Sequence, residues 1–410
     1  MRAMKDSGVP WLKEIPVDWK VERGKNVLAL QKRPVRDNDE VVTCFRDGEV
    51  ILRSLRRTEG FTMSDKEIGY QGINEGDIVI HGMDGFAGAM GVSKSTGKGS
   101  PVLIVCTPKY DAIPQYIIYY LRALAMTDVF VALATGIRER SCDLRWNKVS
   151  ELEFIMPSSS EQQAIVEFLD RKCAEVDEMI ALQEQIIEEL KAYKQSVITE
   201  AVTKGLNPDA PMRDSGIEWI GQIPEHWEVK RLKFVAERHN QKVSDEVLPY
   251  IGLENVESFS ERFIETENEY DITQAQVCAV GDVIFGKLRP YLGKAMVIKT
   301  EHCCSSEFLV LSGSGAPSYL RYLMLSDWFV EIVNASTYGT KMPRANADYI
   351  MNMQVVCPSI EERKAIADYL DEKCADIDSL IQTKQSKIDS LKEYKKSIIY
   401  EYVTGKREVE

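Results

Sequence analysis

The chain has 410 residues, 44% hydrophobic and 28% charged, an ordinary balance that excludes wholesale disorder and leaves room for two to four compact units. Its formal charge is −13 and no segment is a basic block, so affinity for DNA must come from local patches or from a partner that adds positive surface. No run of about 18 uncharged apolar residues exists to span a bilayer, and no apolar core follows Met1–Asp6, so neither a membrane span nor a signal peptide is expected and the cytoplasm is the expected location.

In chain order, the first element is a motif that returns. Residues 5–23 read KDSGVPWLKEIPVDWKVER and residues 213–231 read RDSGIEWIGQIPEHWEVKR, an offset of 208. Short apolar runs bounded by Gly, Ser or Pro follow as strands: Ile78–Ile80, Val102–Cys106 and Phe154–Met156. Their counterparts in the second half are Val283–Phe285, Phe308–Leu311 and Gln354–Cys357. Tyr116–Ala125 and Tyr319–Phe329 read as helices. Asp77 and Asp282 each follow a glycine just before a strand, where they are turn formers rather than a nuclease pair.

Each globule closes on Pro157-Ser158 or Pro358-Ser359, which launches a long helix. Residues 161–203 begin EQQAIVEFLDRKCAEVDEMI and end LKAYKQSVITEAVT; residues 362–404 begin ERKAIADYLDEKCADIDSLI and end LKEYKKSIIYEYVT, an offset of 201. Apolar residues recur at Ile165, Leu169, Val176, Ile186, Leu190, Tyr193 and Val197, and again at Ile366, Leu370, Ile377, Leu391, Tyr394 and Ile398. Forty-three residues at 1.5 Å each make a rod of roughly 65 Å, which needs a partner for its stripe; the nearest candidate is its own copy, antiparallel. The packing residues are then Leu169, Val176, Leu190 and Val197 against Leu370, Ile377, Leu391 and Ile398. Gln183 and Lys384 break the two rows midway, either to fix register or because the seam splays there into solvent.

Chemistry is absent where an enzyme would need it. The four histidines have no metal-ligand spacing, and the nine cysteines contain no Cys-x-x-Cys, which fits reduced, mostly buried thiols. Gly85-Phe-Ala-Gly88-Ala-Met-Gly91 lacks the Gly-x-Gly-x-x-Gly spacing and has Pro290-Tyr-Leu-Gly293 as its counterpart, so both read as turns between strands. There is no phosphate-binding Gly-x-x-x-x-Gly-Lys-Ser/Thr, no Asn-Pro-Pro-Tyr/Phe methylation motif and no Gly-x-Ser-x-Gly elbow. Trp11, Trp19, Trp219 and Trp227 belong to the constant motif and are expected to pack rather than to stack on bases.

The opening D-S-G-x-x-W-x-x-x-I-P-x-x-W, the Gly-Asp strand motif and the two helix ends Y-K-x-S-[VI]-I-x-E-x-V-T resemble the specificity subunit of type I restriction–modification enzymes, in both halves and over essentially the whole chain. The resemblance implies an α+β protein: two mixed α/β target-recognition domains separated by two long antiparallel helices, with a pseudo-twofold internal repeat. The first domain is then 1–157, its spacer helix 158–205, a linker 206–212, the second domain 213–358 and its spacer helix 359–407. It also implies a non-catalytic subunit that binds double-stranded DNA at a bipartite, asymmetric site. Two methyltransferase subunits and two restriction (motor–nuclease) subunits are the expected partners, and S-adenosylmethionine, ATP and Mg belong to them, with no cofactor in this chain.

For DNA contact the first globule offers Arg53, Arg56, Arg57, Lys94 and Lys98, then Arg138 and Arg140 after Gly136. The second offers Lys287, Arg289 and Tyr291 in Gly286–Tyr291, with Lys341 and Arg344 in the Gly339–Asn346 stretch. Such cations bond guanine edges or phosphates, and only the former carry sequence information; a solvated surface charge is the alternative at each. Asp84 stands in the first copy where Arg289 stands in the second, which would give the two domains different preferences.

Overall fold

The computed structural model describes residues 2–56, 68–127, 129–130, 144–243, 248–266 and 274–409. The chain divides into two units, Met1–Gln183 with Ser386–Glu410, and Glu184–Gln385.

The first unit is built on a sheet of four antiparallel strands: β1 (Leu28–Leu30), β2 (Ile78–His81), β3 (Met90–Val92) and β4 (Leu103–Pro108) in the order β1-β4-β2-β3. The apolar runs of its central strands are unbroken because both faces are covered. Ile78, Ile80, Ile104 and Cys106 face a large core with helix α1 (Pro114–Met126). Val79, Leu103 and Val105 alternate onto a smaller core with Val42, Val50 and Ile73. Helix α2 (Trp146–Glu151) and a strand, Glu153–Met156, lead into the first long helix α3 (Ser159–Lys204), of 46 residues.

The second unit repeats the plan. Strands β5 (Glu237–His239), β6 (Val283–Gly286), β7 (Ala295–Val297) and β8 (Phe308–Ser312) take the order β5-β8-β6-β7. Val283, Phe285, Leu309 and Leu311 enter the large core, while Ile284, Phe308 and Val310 enter a smaller one. The helical stretch Tyr319–Phe329 is two helices, α4 (Pro317–Leu325) and α5 (Asp327–Ala335), hinged at buried Ser326, whose extended backbone interrupts the helical run. Helix α6 (Ala347–Asn352) and the strand Gln354–Cys357 then lead into α7 (Ile360–Val403), of 44 residues.

Each globule therefore contains its own long helix's beginning and the other long helix's end. In the first unit Phe168 of α3 meets Tyr402 of α7 with ring centroids 4.3 Å apart, and Asp177 pairs with Lys395 at 2.6 Å. In the second, Lys194 of α3 pairs with Asp378 of α7 at 2.7 Å. In the first unit one residue number rises as its partner's falls, and in the second the end of α3 (Ile198, Ala201, Val202) shares a core with the beginning of α7 (Ile366, Ala367, Leu370), so the helices run antiparallel inside each unit.

Both Asp77 and Asp282 shape turns: their carboxylates accept from the backbone N–H of Asn74 (2.7 Å) and Ala279 (2.8 Å). The runs around Gly85 and Gly293 are single 3-10 turns between strands, Gly85–Ala87 and Pro290–Leu292, each ended by a glycine at positive φ. No described helix is long and apolar enough to cross a membrane.

Candidate nucleic-acid interface

The constant motifs build a frame. Trp19 and Trp227 are buried, and each indole N–H donates to a carboxylate in the first turn of a long helix: Glu161 at 2.9 Å and Glu362 at 3.0 Å. Arg2 also bonds Glu161, and His226 lies 2.7 Å from the same Glu362 oxygen. Burial pushes the Glu362 carboxyl up, but the bonds from His226, Trp227 and Ser359 outweigh it and bring it to about 2. Tyr119 and Tyr322 tie the globule helices to Asp170 (2.6 Å) and Asp371 (2.7 Å) of the long helices. The long helices end on Gly205 and Gly405, both at positive φ. A Cβ at Gly405 would lie 2.4 Å from Pro16, and one at Gly205 would lie 3.1 Å from the Trp227 ring. Trp219 departs from the expected packing: it is 50% exposed, beside Thr199, Asp327 and Glu331.

Along the helix pair, Leu169, Val176, Leu370, Ile377 and Ile398 are buried, whereas Leu190, Val197 and Leu391 are half-buried. Tyr193 and Tyr394 are exposed, because the seam there steps in fours through Leu190, Lys194 and Ile198 and leaves position 193 about 100° away. Gln183 is buried and Lys384 is half-buried.

In the second unit the two basic stretches come together. Arg289 N–H donates to the Pro343 carbonyl (2.7 Å), and Ala345 N–H to the Lys287 carbonyl (2.9 Å). Tyr338 and Arg344 exchange two backbone hydrogen bonds, of 3.2 and 3.1 Å, a single bridge that closes a short ribbon-like loop. The side chains divide into two kinds. Lys287 Nζ donates to the Ser306 carbonyl at 2.8 Å, with burial lowering its pKa, and Arg344 is paired with Glu307. Arg289 and Lys341 are exposed, and among the described residues neither side chain has a hydrogen bond or an ion pair. Arg289 sits in the left-handed region at φ 51°, held by its own N–H bond and by Pro290. Tyr291 is 46% exposed. Tyr338 (61%) and Met342 (58%) flank Lys341 on the ribbon, and the only sequence signal for them was an aromatic and a methionine in a Gly/Pro turn.

In the first unit the cations are more heavily countered. Arg56 pairs with Asp47 and Glu49 and lies over the Phe45 ring at 4.2 Å, while Lys94 shares Glu49 at 3.0 Å. Arg53 donates to Thr43 at 3.1 Å, and Lys98 lies in the strand Gly97–Gly99. Asp84, at the position of Arg289, pairs with Arg46 at 2.8 Å; Arg46 carried no motif to mark it. Arg57, Arg138 and Arg140 lie outside the described residues. Among the described residues no cluster of His, Cys, Asp and Glu could hold a metal ion, and the cysteines are unpaired.

No family model matches the chain. It is 25% identical to the type I restriction enzyme MjaVIII specificity subunit of Methanocaldococcus jannaschii, over 96% of this chain and 93% of that one. It is 24% identical to the EcoDI specificity subunit of Escherichia coli over 58% of each. Among solved structures, a chain of a type I R-M system complex superposes with a TM-score of 0.70 at 15% identity, covering 96% of this chain and 99% of that one. The HsdS subunit of Thermoanaerobacter tengcongensis superposes with a TM-score of 0.53 at 16% identity, covering 96% and 98%. The chain is a homologue of the type I restriction enzyme specificity subunits and shares their fold.

Proposed function

We propose that the chain is the DNA-reading, non-catalytic subunit of a type I restriction–modification complex. Each unit reads one part of a bipartite, asymmetric duplex site, and the long helices dock two methyltransferase and two restriction subunits, which bring the catalysis with S-adenosylmethionine, ATP and Mg. One observation carries this reading: the frame is the same in both units down to the Trp–Glu and Tyr–Asp bonds, while the turn after the second sheet strand presents Asp84 in one and Arg289 in the other. A constant scaffold with divergent tips suits one assembly role and two recognition roles. An acid accepts from cytosine and an arginine donates to guanine. The acidic total is accommodated if methyltransferase subunits share the phosphate contacts.

The test is selection from random duplexes by the full chain mixed with its methyltransferase subunit. The expected product is a two-part sequence, and Arg289→Ala relaxes one part only, by roughly 10-fold or more for a lost bidentate contact. Absence of any sequence preference overturns the reading. Equal loss at both parts overturns the assignment of Arg289 to one unit. Methylation or cleavage by the chain alone would make it an enzyme.

A further inference from the structure

The ribbon Tyr338–Arg344 is an unusual surface for an acidic protein. Its base is braided: Tyr338 and Arg344 bond each other twice through their backbones, Arg289 N–H bonds Pro343, and Ala345 N–H bonds Lys287. Leu288 and Arg344 form a further backbone bridge. Two of the nearby cations are committed to this scaffold, Lys287 to the Ser306 carbonyl and Arg344 to Glu307. A loop held this way presents its tip at a fixed position, as a recognition element requires. The loop then exposes two large apolar side chains, Tyr338 at its base and Met342 nearer its tip, on either side of Lys341 in sequence, with Arg289 beside the braid.

Exposed apolar groups interspersed with unpaired cations fit a ligand that offers anionic and apolar features side by side. A duplex groove has that character, with phosphates along both rims and base edges at the floor. The major groove admits an element as wide as a two-stranded β-ribbon, which leaves room for a loop closed by one bridge, and the apolar feature on its floor is the thymine C5-methyl group. We propose that the Tyr338–Arg344 ribbon enters the major groove, with Met342 and Tyr338 packed on pyrimidine C5 positions while Arg289 engages a base edge and Lys341 a phosphate. This rests on the DNA-reading function above and deepens it: part of the second unit's specificity is apolar and reads methyl groups rather than hydrogen-bonding edges alone.

The experiment uses the full chain with its methyltransferase subunit and the duplex selected above. Each thymine of the second unit's half-site is replaced by uracil and each cytosine by 5-methylcytosine, one at a time, which removes or adds only the C5 methyl. At one or more positions wild-type binding is expected to change about three- to five-fold, the worth of one buried methyl group. Met342→Ala and Tyr338→Ala are expected to lose that sensitivity, while Met342→Leu keeps it. Both sites are exposed, and an unchanged melting temperature identifies folded variants. Lys341→Ala serves as the contrast, weakening all sequences alike and flattening the salt dependence. Wild-type binding indifferent to every C5 methyl, or a sensitivity the alanine variants retain, overturns the ribbon proposal while leaving DNA reading intact. Failure of the wild-type selection itself overturns the reading on which it rests.

Discussion

Glu362 shows how one carboxylate serves both the frame and the helix. It accepts from Trp227, lies against His226, and through Ser359 closes a reciprocal cap on α7: Ser359 N–H reaches Glu362 at 3.1 Å and Glu362 N–H reaches Ser359 at 3.2 Å. Its pKa is lowered from 4.5 to about 2, so it contributes stability that is fully present above about pH 4.5 and is lost as pH falls toward 2. Glu362→Gln should cost about 1 kcal/mol at pH 7, the scale of a lost cap, and the gap should close below pH 3 in thermal melts. A gap that stays constant to pH 2 would assign the effect to packing. At the other end of the helices, Gly405→Ala forces a Cβ into Pro16 at positive φ, and a loss of at least ~1 kcal/mol in urea unfolding is expected. The sequence marked Trp19 and Trp227 as packing residues because they repeat in the constant motif. It could not show that their indoles seek Glu161 and Glu362, since that pairing joins residues over 130 positions apart. Trp219 shares the motif yet stays half-exposed: the motif fixes position on the backbone, while neighbours fix burial.

At the scale of the element, the helix pair carries the same ion pair twice, Asp177–Lys395 and Lys194–Asp378. The chemistry is identical and the surroundings are not. Lys194 is 8% exposed and also donates to the Phe259 carbonyl at 3.3 Å, whereas the Lys395 side chain keeps 27% exposure. Asp378→Ala therefore leaves a buried ammonium with one carbonyl and should cost roughly 1–3 kcal/mol; Asp177→Ala should cost under about 1 kcal/mol. Equal losses in parallel denaturation curves would show that burial does not set the difference. Helix length and the apolar rows were legible, because period 3.6 persists over more than forty residues. Lys194 was not, since a seam counted in sevens passes Leu190 and Val197 and steps over the lysine between them.

For the whole molecule, duplication was the readable fact, and it led from two similar motifs to two similar sheets, each sealed on both faces. The divergent loops were far less readable. The sequence brought Lys287, Arg289, Lys341 and Arg344 forward as equals; only their side-chain partners, the Ser306 carbonyl for Lys287 and Glu307 for Arg344, separate the two that are committed from the two that project. That separation bears on how an acidic chain binds DNA. With a formal charge of −13 and Arg46, Arg56 and Lys94 of the first unit paired with acids, fewer side chains are left to displace counterions. If two to four phosphates are contacted, the affinity of the isolated chain should fall with a log–log salt slope of about −2 to −4, taking −0.9 per contact. Addition of the methyltransferase subunit should steepen the slope while leaving the preferred sequence unchanged, because new phosphate contacts carry charge without base information. Fluorescence anisotropy on one duplex from 50 to 300 mM salt (range set by where such slopes are measurable) checks both statements. An isolated chain that already shows a slope near −8 would mean that its basic groups are far more available than their pairing with Asp47, Glu49, Asp84 and Glu307 allows.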